Sequence, residues 1–293
     1  QSLGHPARYQ RRRTMAAAMK KKAVRRGKQV IKAMAKKAKK SPVAKKSPVA
    51  MKRAAVKKAA KPTKAPAALR GISAVVINLD KRPDRWQKAV KSFGKQASWL
   101  PLERLSAVDG RAAPPAKSVV TMKYSTARLA KLFPWYKAVT VTHSPGERGC
   151  SASHVAAWRR AAKMKKPLVV LEDDAVALGD FASTLETAIK EAPKDTGMIW
   201  LSSKDRGWPK KVGKVLQKPF YVWTTVGYVV YPETARKLLK MLPVDMPVDN
   251  WLAWHIKEGA VKAYSVRPAA VRQAQTWNVG SDVPHSDDVA HWY

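Results

Sequence analysis

The chain has 293 residues, of which 58 are Lys or Arg and 20 are Asp or Glu, giving a formal net charge of +38. All the acids and all but one of the aromatics follow residue 70, whereas residues 1–70 hold 24 basic residues. This division excludes a fully disordered protein, because the second part can bury a core. The single cysteine, Cys150, excludes a disulfide framework, and no apolar run approaches the ~20 residues of a membrane span.

Residues 1–70 are a low-complexity basic segment in which Lys-Lys-Ser-Pro-Val-Ala occurs twice, at 39–44 and 45–50. Dense like charge with almost no aromatics predicts a disordered tail. Such a tail binds polyanions by counterion release, so a nucleic-acid partner is one interpretation. A nuclear or organelle address and an extension without a partner are the others. Because no secretory signal pattern is present, we expect a cytoplasmic or nuclear location ahead of an organelle.

Apolar runs and helical patterns alternate through the rest of the chain. Buried strands are predicted at 74–79, 105–108, 167–171, 198–201, within 222–231 and at 263–266. Helices are predicted at 83–93, 151–163, 181–189, 232–242 and from 249 onwards. Residues 111–145 hold four prolines and are predicted to be irregular. The alternation predicts one α/β domain over residues 71–293, with a mostly parallel central sheet.

Three consecutive acids, Glu172, Asp173 and Asp174, follow directly on the clearest strand. On an extended chain Glu172 and Asp174 point to the same side. Adjacent carboxylates repel each other, and a divalent cation such as Mg²⁺ or Mn²⁺ relieves that repulsion. Ligands of open α/β sheets also lie beyond the carboxyl ends of the strands. The acids alone are consistent with a metal site or with a solvated acidic turn.

Six motifs occur in a fixed order. They are Val76–Arg85, Asp109-Gly110, Gly146-Glu147-x-Gly149-Cys150-x-x-Ser153-His154-x-x-x-Trp158, Leu171–Asp174, Gly227-Tyr228-x-x-Tyr231 and Val248-Asp249. The set resembles glycosyltransferase family 25 over roughly residues 72–283. The resemblance implies a single GT-A-like domain, a UDP-sugar donor that is usually UDP-galactose, and Mn²⁺ or Mg²⁺ bound by a DxD-like motif. It also implies direct, inverting displacement by a hydroxyl of a glycan, lipid or protein acceptor.

The resemblance assigns roles to individual residues. Glu172 and Asp174 would hold the metal, and the donor would lie against Asn78, Arg82, Arg85, Asp109, Ser153 and Asp173. Asp249 and His154 would be the catalytic residues: Asp249 would act as the base or bind the acceptor hydroxyl, and His154 would contact the ligand or the acceptor directly. Arg82 and Arg85 could instead pair with Asp80 or Asp84, Asp249 could cap a helix, and His154 could be structural.

Other residues near these motifs have less specific interpretations. Because the helix is predicted to begin at Ser151, Ser153 and His154 would lie at its amino-terminal end, which favours anions. Cys150 is predicted to be a packed small residue, and Trp158, Trp251 and Trp254 are predicted to be core residues rather than sugar platforms. Gln273 and Ser281 match a late family segment, and His285 is a weaker candidate metal ligand.

Three functions therefore compete. The first is a metal-dependent glycosyltransferase with a basic appendage. The second is a polyanion-binding protein whose glycosyltransferase-like domain is inactive. The third is a metal-dependent phosphotransferase or nuclease, although no phosphate-binding loop or dinucleotide fingerprint is present.

Overall fold

The structure, a computed structural model, describes residues 64–202, 205 and 207–274. Residues 1–63 of the predicted tail, together with Ser281 and His285, lie outside the described residues. The described residues before the predicted boundary at residue 71 include a 3₁₀ turn at Ala67–Leu69, which buries Leu69 in the core. Within the described ranges, no helix has the length and apolarity needed to cross a membrane.

The described residues form twelve strands and six α-helices. The strands are β1 (Ser73–Asn78), β2 (Leu102–Ser106), β3 (Lys123–Ser125), β4 (Thr140–Thr142), β5 (Leu168–Glu172), β6 (Ala175–Ala177), β7 (Met198–Trp200), β8 (Lys210–Lys211), β9 (Leu216–Lys218), β10 (Gly227–Val230), β11 (Ala263–Val266) and β12 (Val271–Gln273). The helices are α1 (Pro83–Gln96), α2 (Ala127–Leu132), α3 (Pro145–Ala161), α4 (Phe181–Glu191), α5 (Pro232–Lys240) and α6 (Val248–Lys257).

Eight strands form the central sheet in the order β2-β1-β5-β10-β7-β11-β9-β8. β1 pairs in parallel with β2 and β5, and β7 pairs in parallel with β11, whereas β10 lies antiparallel between β5 and β7. β9 is antiparallel to both β11 and β8. Six of the eight strands therefore run in one direction, which confirms the prediction of a mostly parallel α/β sheet.

Hydrophobic clusters cover both faces of this sheet. Alternate residues of β1 and β5 belong to different clusters, so both strands are apolar on both faces, as parallel strands between helices require. One cluster packs against α3, α5 and α6, and the other packs against α1 and α4. In the second, Phe93 and Phe181 are fully buried edge to face, with ring centroids 5.3 Å apart. Burying a side chain of this size contributes about 1.5–3 kcal/mol.

Helix α3 begins six residues earlier than the sequence predicted. Ser144 accepts a hydrogen bond from the Glu147 backbone N–H, and the Glu147 carboxylate accepts one from the Ser144 N–H, which completes a capping box. The predicted start at Ser151 was therefore wrong. The region predicted to be irregular, 111–145, also contains α2 and the β3–β4 hairpin.

The turn at Gly110 lies directly against the first turns of α3. A Cβ at Gly110 would be 2.0 Å from the Pro145 carbonyl oxygen, and a Cβ at Gly149 would be 2.5 Å from the Val108 carbonyl oxygen. Both clashes involve backbone, which cannot rotate away. The two glycines of the sequence motifs therefore bring the loop after β2 and helix α3 into contact.

Gly149→Ala should destabilise the fold by about 1–3 kcal/mol, because the methyl group would have to push two backbone segments apart. Gly94→Ala, in the last turn of α1, is the matched control, since its Cβ would meet nothing within 4 Å. That change should instead add about 0.5–1 kcal/mol. Urea unfolding of the two variants measures both effects, and equal stabilities would contradict the close approach.

Candidate active site

A cleft of about 260 Å³ lies where β1 and β5 reach their carboxyl ends. Of the residues predicted to form the site, seven line this cleft: Arg85, Asp109, Ser153, Glu172, Asp173, Asp174 and Asp249. They come from elements spread over more than half of the chain. The predicted convergence of the acids, one arginine and the late aspartate is therefore present in the fold.

Glu172, the last residue of β5, is held by two side chains. Its Oε1 accepts a hydrogen bond from the Thr225 hydroxyl at 2.6 Å and lies 3.4 Å from the His154 Nε2. Burial works against ionisation, but the bonds from His154 and Thr225 hold the pKa of Glu172 below its ordinary value. Glu172 is therefore a fixed carboxylate at the cleft wall.

Asp173 is turned toward the loop after β1. Its Oδ2 accepts a 2.7 Å hydrogen bond from the Asn78 side chain, and its Oδ1 pairs with the Arg85 guanidinium at 3.2 Å. Burial raises the pKa of Asp173, and the bonds from Asn78 and Arg85 oppose that rise. Asn78 is itself buried and also accepts from Arg104 at 2.8 Å. The structure thus places Asn78 behind Asp173, where it orients the carboxylate.

Asp174 is the least compensated of the three acids. Its Oδ2 accepts a 3.0 Å hydrogen bond from Gln273, whereas its buried Oδ1 has no hydrogen-bond partner among the described residues. Burial, and then the charge of Glu172, raise the pKa of Asp174 to about 7. A buried oxygen without a partner beside a second carboxylate fits a divalent cation that prefers oxygen ligands. Glu172 and Asp174 are the residues that could hold it.

His154 does not reach the cleft surface, because it is fully buried within α3. Its Nδ1 lies 2.9 Å from the Tyr228 hydroxyl, which also accepts a hydrogen bond from the Trp158 indole at 2.9 Å. Its Nε2 faces Glu172. His154 therefore positions Glu172, and Trp158 is the core residue that the sequence predicted.

Ser153 has a structural environment. Its hydroxyl donates to the Gly149 carbonyl at 2.7 Å and accepts from the Val108 N–H at 2.8 Å. Because α3 starts at Pro145, Ser153 and His154 do not lie at a helix amino terminus, so the helix start on which an anion site was predicted at their position was wrong. The first turn of α3, with Gly146 and Glu147, lines the cleft instead.

Asp249 lies in the first turn of α6, half-buried at the cleft wall. Its Oδ1 accepts from the backbone and side-chain nitrogens of Asn250 at 2.7 and 3.2 Å. Asn250 in turn accepts a 2.9 Å hydrogen bond from the buried Tyr221 hydroxyl. The residue that precedes the helix is Pro247, so Asp249 is not the cap that the alternative interpretation required.

The two arginines after β1 separate into different roles. Arg85 lines the cleft and reaches Asp173, whereas Arg82 pairs with Asp84 and is absent from the cleft lining. At the cleft rim, Asp109 pairs with Lys81 at 2.6 Å, and this hydrogen bond lowers the pKa of Asp109. Among the two arginines, Arg85 is the one placed to meet a ligand in the cleft.

Sequence reasoning missed Thr224 and Thr225, which precede β10. Thr224 lines the cleft with φ +67°, an uncommon backbone angle for a β-branched residue, and its carbonyl accepts from the Trp200 indole at 2.8 Å. The buried Thr224 hydroxyl has no hydrogen-bond partner among the described residues. The nearest sequence signal was Gly227, whose Cβ would come within 2.8 Å of Val271.

Comparison with known proteins identifies the family. The model of glycosyltransferase family 25, described as an LPS biosynthesis protein, matches residues 72–218, half of the chain. The chain belongs to glycosyltransferase family 25. A glycosyltransferase 25 family member of Anopheles gambiae is 28% identical over 221 residues, and the match covers 66% of this chain and 35% of that protein.

Other family 25 relatives carry different names. Procollagen galactosyltransferase 1 of Danio rerio is 24% identical and covers 67% of this chain and 35% of its own. A Bos taurus relative that is 29% identical, over 66% of this chain and 33% of its own, is named a probable inactive member. This chain thus spans about a third of the length of the curated relatives it matches.

Among solved structures, a Drosophila beta-1,4-galactosyltransferase 7 in complex with manganese, UDP-Gal and xylobiose is a remote match. It has a TM-score of 0.39 and 9% identity, and the match covers 73% of this chain and 76% of the other.

In this family 25 domain, Asp174→Asn should remove a pH-dependent cost of folding. The folded pKa of about 7 lies above the ordinary 3.8, so stability contributed by the bound proton is lost as the pH rises through that window. In EDTA at pH 8, the variant should be more stable than the parent by about 1–3 kcal/mol. The difference in stability between the variant and the parent should become smaller toward pH 4, where Asp174 begins to bind a proton in the unfolded chain as well as in the folded one.

Urea unfolding between pH 4.5 and 8 measures this difference. Glu258→Gln, an exposed acid at the end of α6, is the control and should follow the parent at every pH. Between pH 5 and 8 the parent should lose stability relative to Asp174→Asn. If it does not, Asp174 is not the buried, poorly compensated carboxylate that the structure shows.

Tyr228→Phe should cost about 1–3 kcal/mol, because the Trp158 and His154 ring nitrogens would lose their common buried partner. The half-buried Tyr231→Phe is the control for loss of a hydroxyl near the same strand. Denaturant unfolding reports the difference, and two equally stable variants would show that the Tyr228 hydroxyl has no stabilising role.

Proposed function

We propose that the chain is a metal-dependent glycosyltransferase that moves a hexose from a UDP-sugar to a hydroxyl acceptor with inversion. The observation that supports this most directly is the buried, partnerless Asp174 Oδ1 beside the fixed carboxylate of Glu172, in a cleft that also contains Asp249. A divalent cation, Mn²⁺ or Mg²⁺, held by Glu172 and Asp174 would neutralise charge that develops on the leaving diphosphate. Galactose is the proposed sugar, since one relative is named a galactosyltransferase.

The donor diphosphate would meet Arg85 at the cleft wall. The guanidinium carries fixed donors that match phosphate oxygens, and its present partner Asp173 is held from behind by Asn78. Asp109 and the first turn of α3 line the same cleft. Arg82 is proposed to support the loop through Asp84 rather than to touch the donor.

Asp249 is proposed to take the proton of the acceptor hydroxyl. Its carboxylate lines the cleft, and the hydrogen bonds from Asn250 to Oδ1 fix its orientation. Proton transfer to a positioned carboxylate makes the hydroxyl oxygen a better nucleophile, and attack opposite the leaving diphosphate inverts the anomeric carbon. The proposed acceptor is a hydroxyl group of a glycan, a lipid or a protein.

The test is release of UDP by the full chain from UDP-galactose, UDP-glucose and UDP-N-acetylglucosamine, with Mn²⁺, Mg²⁺ or EDTA. Release should require the cation and should fall by about 10²–10⁴-fold in Asp249→Asn, with donor binding retained in calorimetry. Asp174→Asn should lose both release and cation-dependent donor binding. Asp245 pairs with Arg128 outside the cleft, so Asp245→Asn is the matched control and should keep UDP release.

Absence of donor binding in calorimetry for all three UDP-sugars would overturn the proposal. Salt-sensitive retention of that same protein on DNA, lost when residues 1–63 are removed, would then favour the alternative of a polyanion-binding protein with an inactive domain. The 24 basic residues of the first 70 are the observation that favours this second function.

A further inference from the structure

Three side chains with different ligand atoms converge on the inner wall of the cleft. Cys150, His154 and Glu172 each offer one ligand atom, and these atoms all lie within 4.8 Å of one another. Cys150 and Glu172 line the cleft, whereas His154 is buried behind them. An ion could therefore enter from the cleft and keep a water molecule or a substrate oxygen as its remaining ligand.

The fold places these residues together for simple geometric reasons. Cys150 and His154 are four residues apart on α3, so their side chains lie on the same face of the helix. Glu172 ends β5, the strand that carries the acids, and its carboxylate already approaches the His154 ring at 3.4 Å. One ligand is thus a thiol, one an imidazole and one a carboxylate.

Each of two ligands is oriented by a further residue, as ligands in metal sites commonly are. The Tyr228 hydroxyl holds Nδ1 of His154, which leaves Nε2 directed at Glu172. Because a hydroxyl can donate or accept, Tyr228 can serve either neutral tautomer, including the one with Nε2 free to ligate a metal. The Thr225 hydroxyl fixes Glu172 at 2.6 Å.

We propose that Cys150, His154 and Glu172 form a site for a thiophilic divalent cation, with Zn²⁺ the best match, and that this site shares Glu172 with the oxygen-ligand pair Glu172–Asp174. Zn²⁺ accepts sulfur, nitrogen and oxygen ligands at about 2.0–2.3 Å in a tetrahedral arrangement. A small rotation of the Cys150 side chain, which borders the cleft, would bring its sulfur closer to the fixed Glu172 carboxylate and to His154 Nε2, toward that spacing. On ligation the thiol proton passes to solvent.

Ligand chemistry separates the two sites. Mg²⁺ and Mn²⁺ favour oxygen ligands, whereas a thiolate and an imidazole favour Zn²⁺ and Co²⁺. Since both sites use Glu172, and two divalent cations on one carboxylate repel each other, Zn²⁺ at Cys150 should weaken binding of the oxygen-preferring cation at Asp174. Zn²⁺ would then inhibit sugar transfer, a consequence that rests on the proposed function, whereas the site itself does not.

The direct test is the absorption spectrum of the full chain, reduced and freed of metals, titrated with Co²⁺. Cys150 is the only cysteine in the sequence, so any thiolate-to-Co²⁺ charge-transfer band in the near ultraviolet must come from it. The band should appear in the parent, disappear on addition of Zn²⁺, and be absent from Cys150→Ser and weakened in His154→Asn. Asp174→Asn and the buried-histidine control His143→Asn should retain it.

A parent spectrum identical to that of Cys150→Ser would overturn the site. If circular dichroism shows that Cys150→Ser or His154→Asn does not fold, the proposal is tested on the parent protein alone, by the reactivity of its thiol. Zn²⁺, but not Mg²⁺, should then slow modification of its sole thiol by a thiol reagent, and equal rates with and without Zn²⁺ would overturn the site.

Inhibition is measured separately, as the Mn²⁺ concentration required for UDP release. Zn²⁺ should raise that concentration at least about tenfold in the parent and not in Cys150→Ser. A charge-transfer band without UDP release under any condition would contradict the proposed transferase function while leaving the cation site established. Release that is insensitive to Zn²⁺, in a protein that shows the band, would overturn the shared use of Glu172.

Discussion

The site depends on one electrostatic constraint: three consecutive carboxylates lie at the carboxyl end of β5. Charges so close and so buried are unfavourable unless each is compensated. Among the described residues, Glu172 is compensated by Thr225 and His154, and Asp173 by Asn78 and Arg85, whereas Asp174 has only Gln273. The negative charge of Asp174 is therefore the least compensated of the three. A bound proton in the free chain, or a bound cation, would neutralise it.

The direction of one strand, β10, accounts for part of this compensation. β10 runs antiparallel to β5, so its beginning, not its end, lies beside the carboxyl end of β5. This brings Thr225 to Glu172, and it places the strained backbone of Thr224 at the cleft, held there by the Trp200 indole. Gly227 permits the close packing against Leu171 and Val271 that the arrangement needs. A sheet with only parallel strands would have brought a strand end and its following loop instead.

Local patterns predicted the parts of the site that are encoded locally. The apolar runs of β1 and β5 and the acids after them are each visible within ten residues. The start of α3 was missed because Pro145 and Gly146 suggest a loop, while the capping box between Ser144 and Glu147 extends the helix across them. The bonds from Gln273 to Asp174 and from Thr225 to Glu172 span 99 and 53 residues, so no local periodicity can reveal them.

The motif residues therefore form two groups, one that borders the cleft and one that supports it from behind. The order of the motifs in the sequence does not show which residue belongs to which group. Arg85, Asp109, Asp174 and Asp249 border the cleft, whereas Asn78 and His154 have their polar groups bonded behind it. Ser153 lines the cleft, but its hydroxyl is bonded to the backbone of Val108 and Gly149. A buried, fully bonded group cannot bind substrate without breaking those bonds, but it can hold a carboxylate in one orientation. Since charge stabilisation is most effective when the groups that provide it need no reorganisation, residues that do not contact the substrate can be as necessary as those that do.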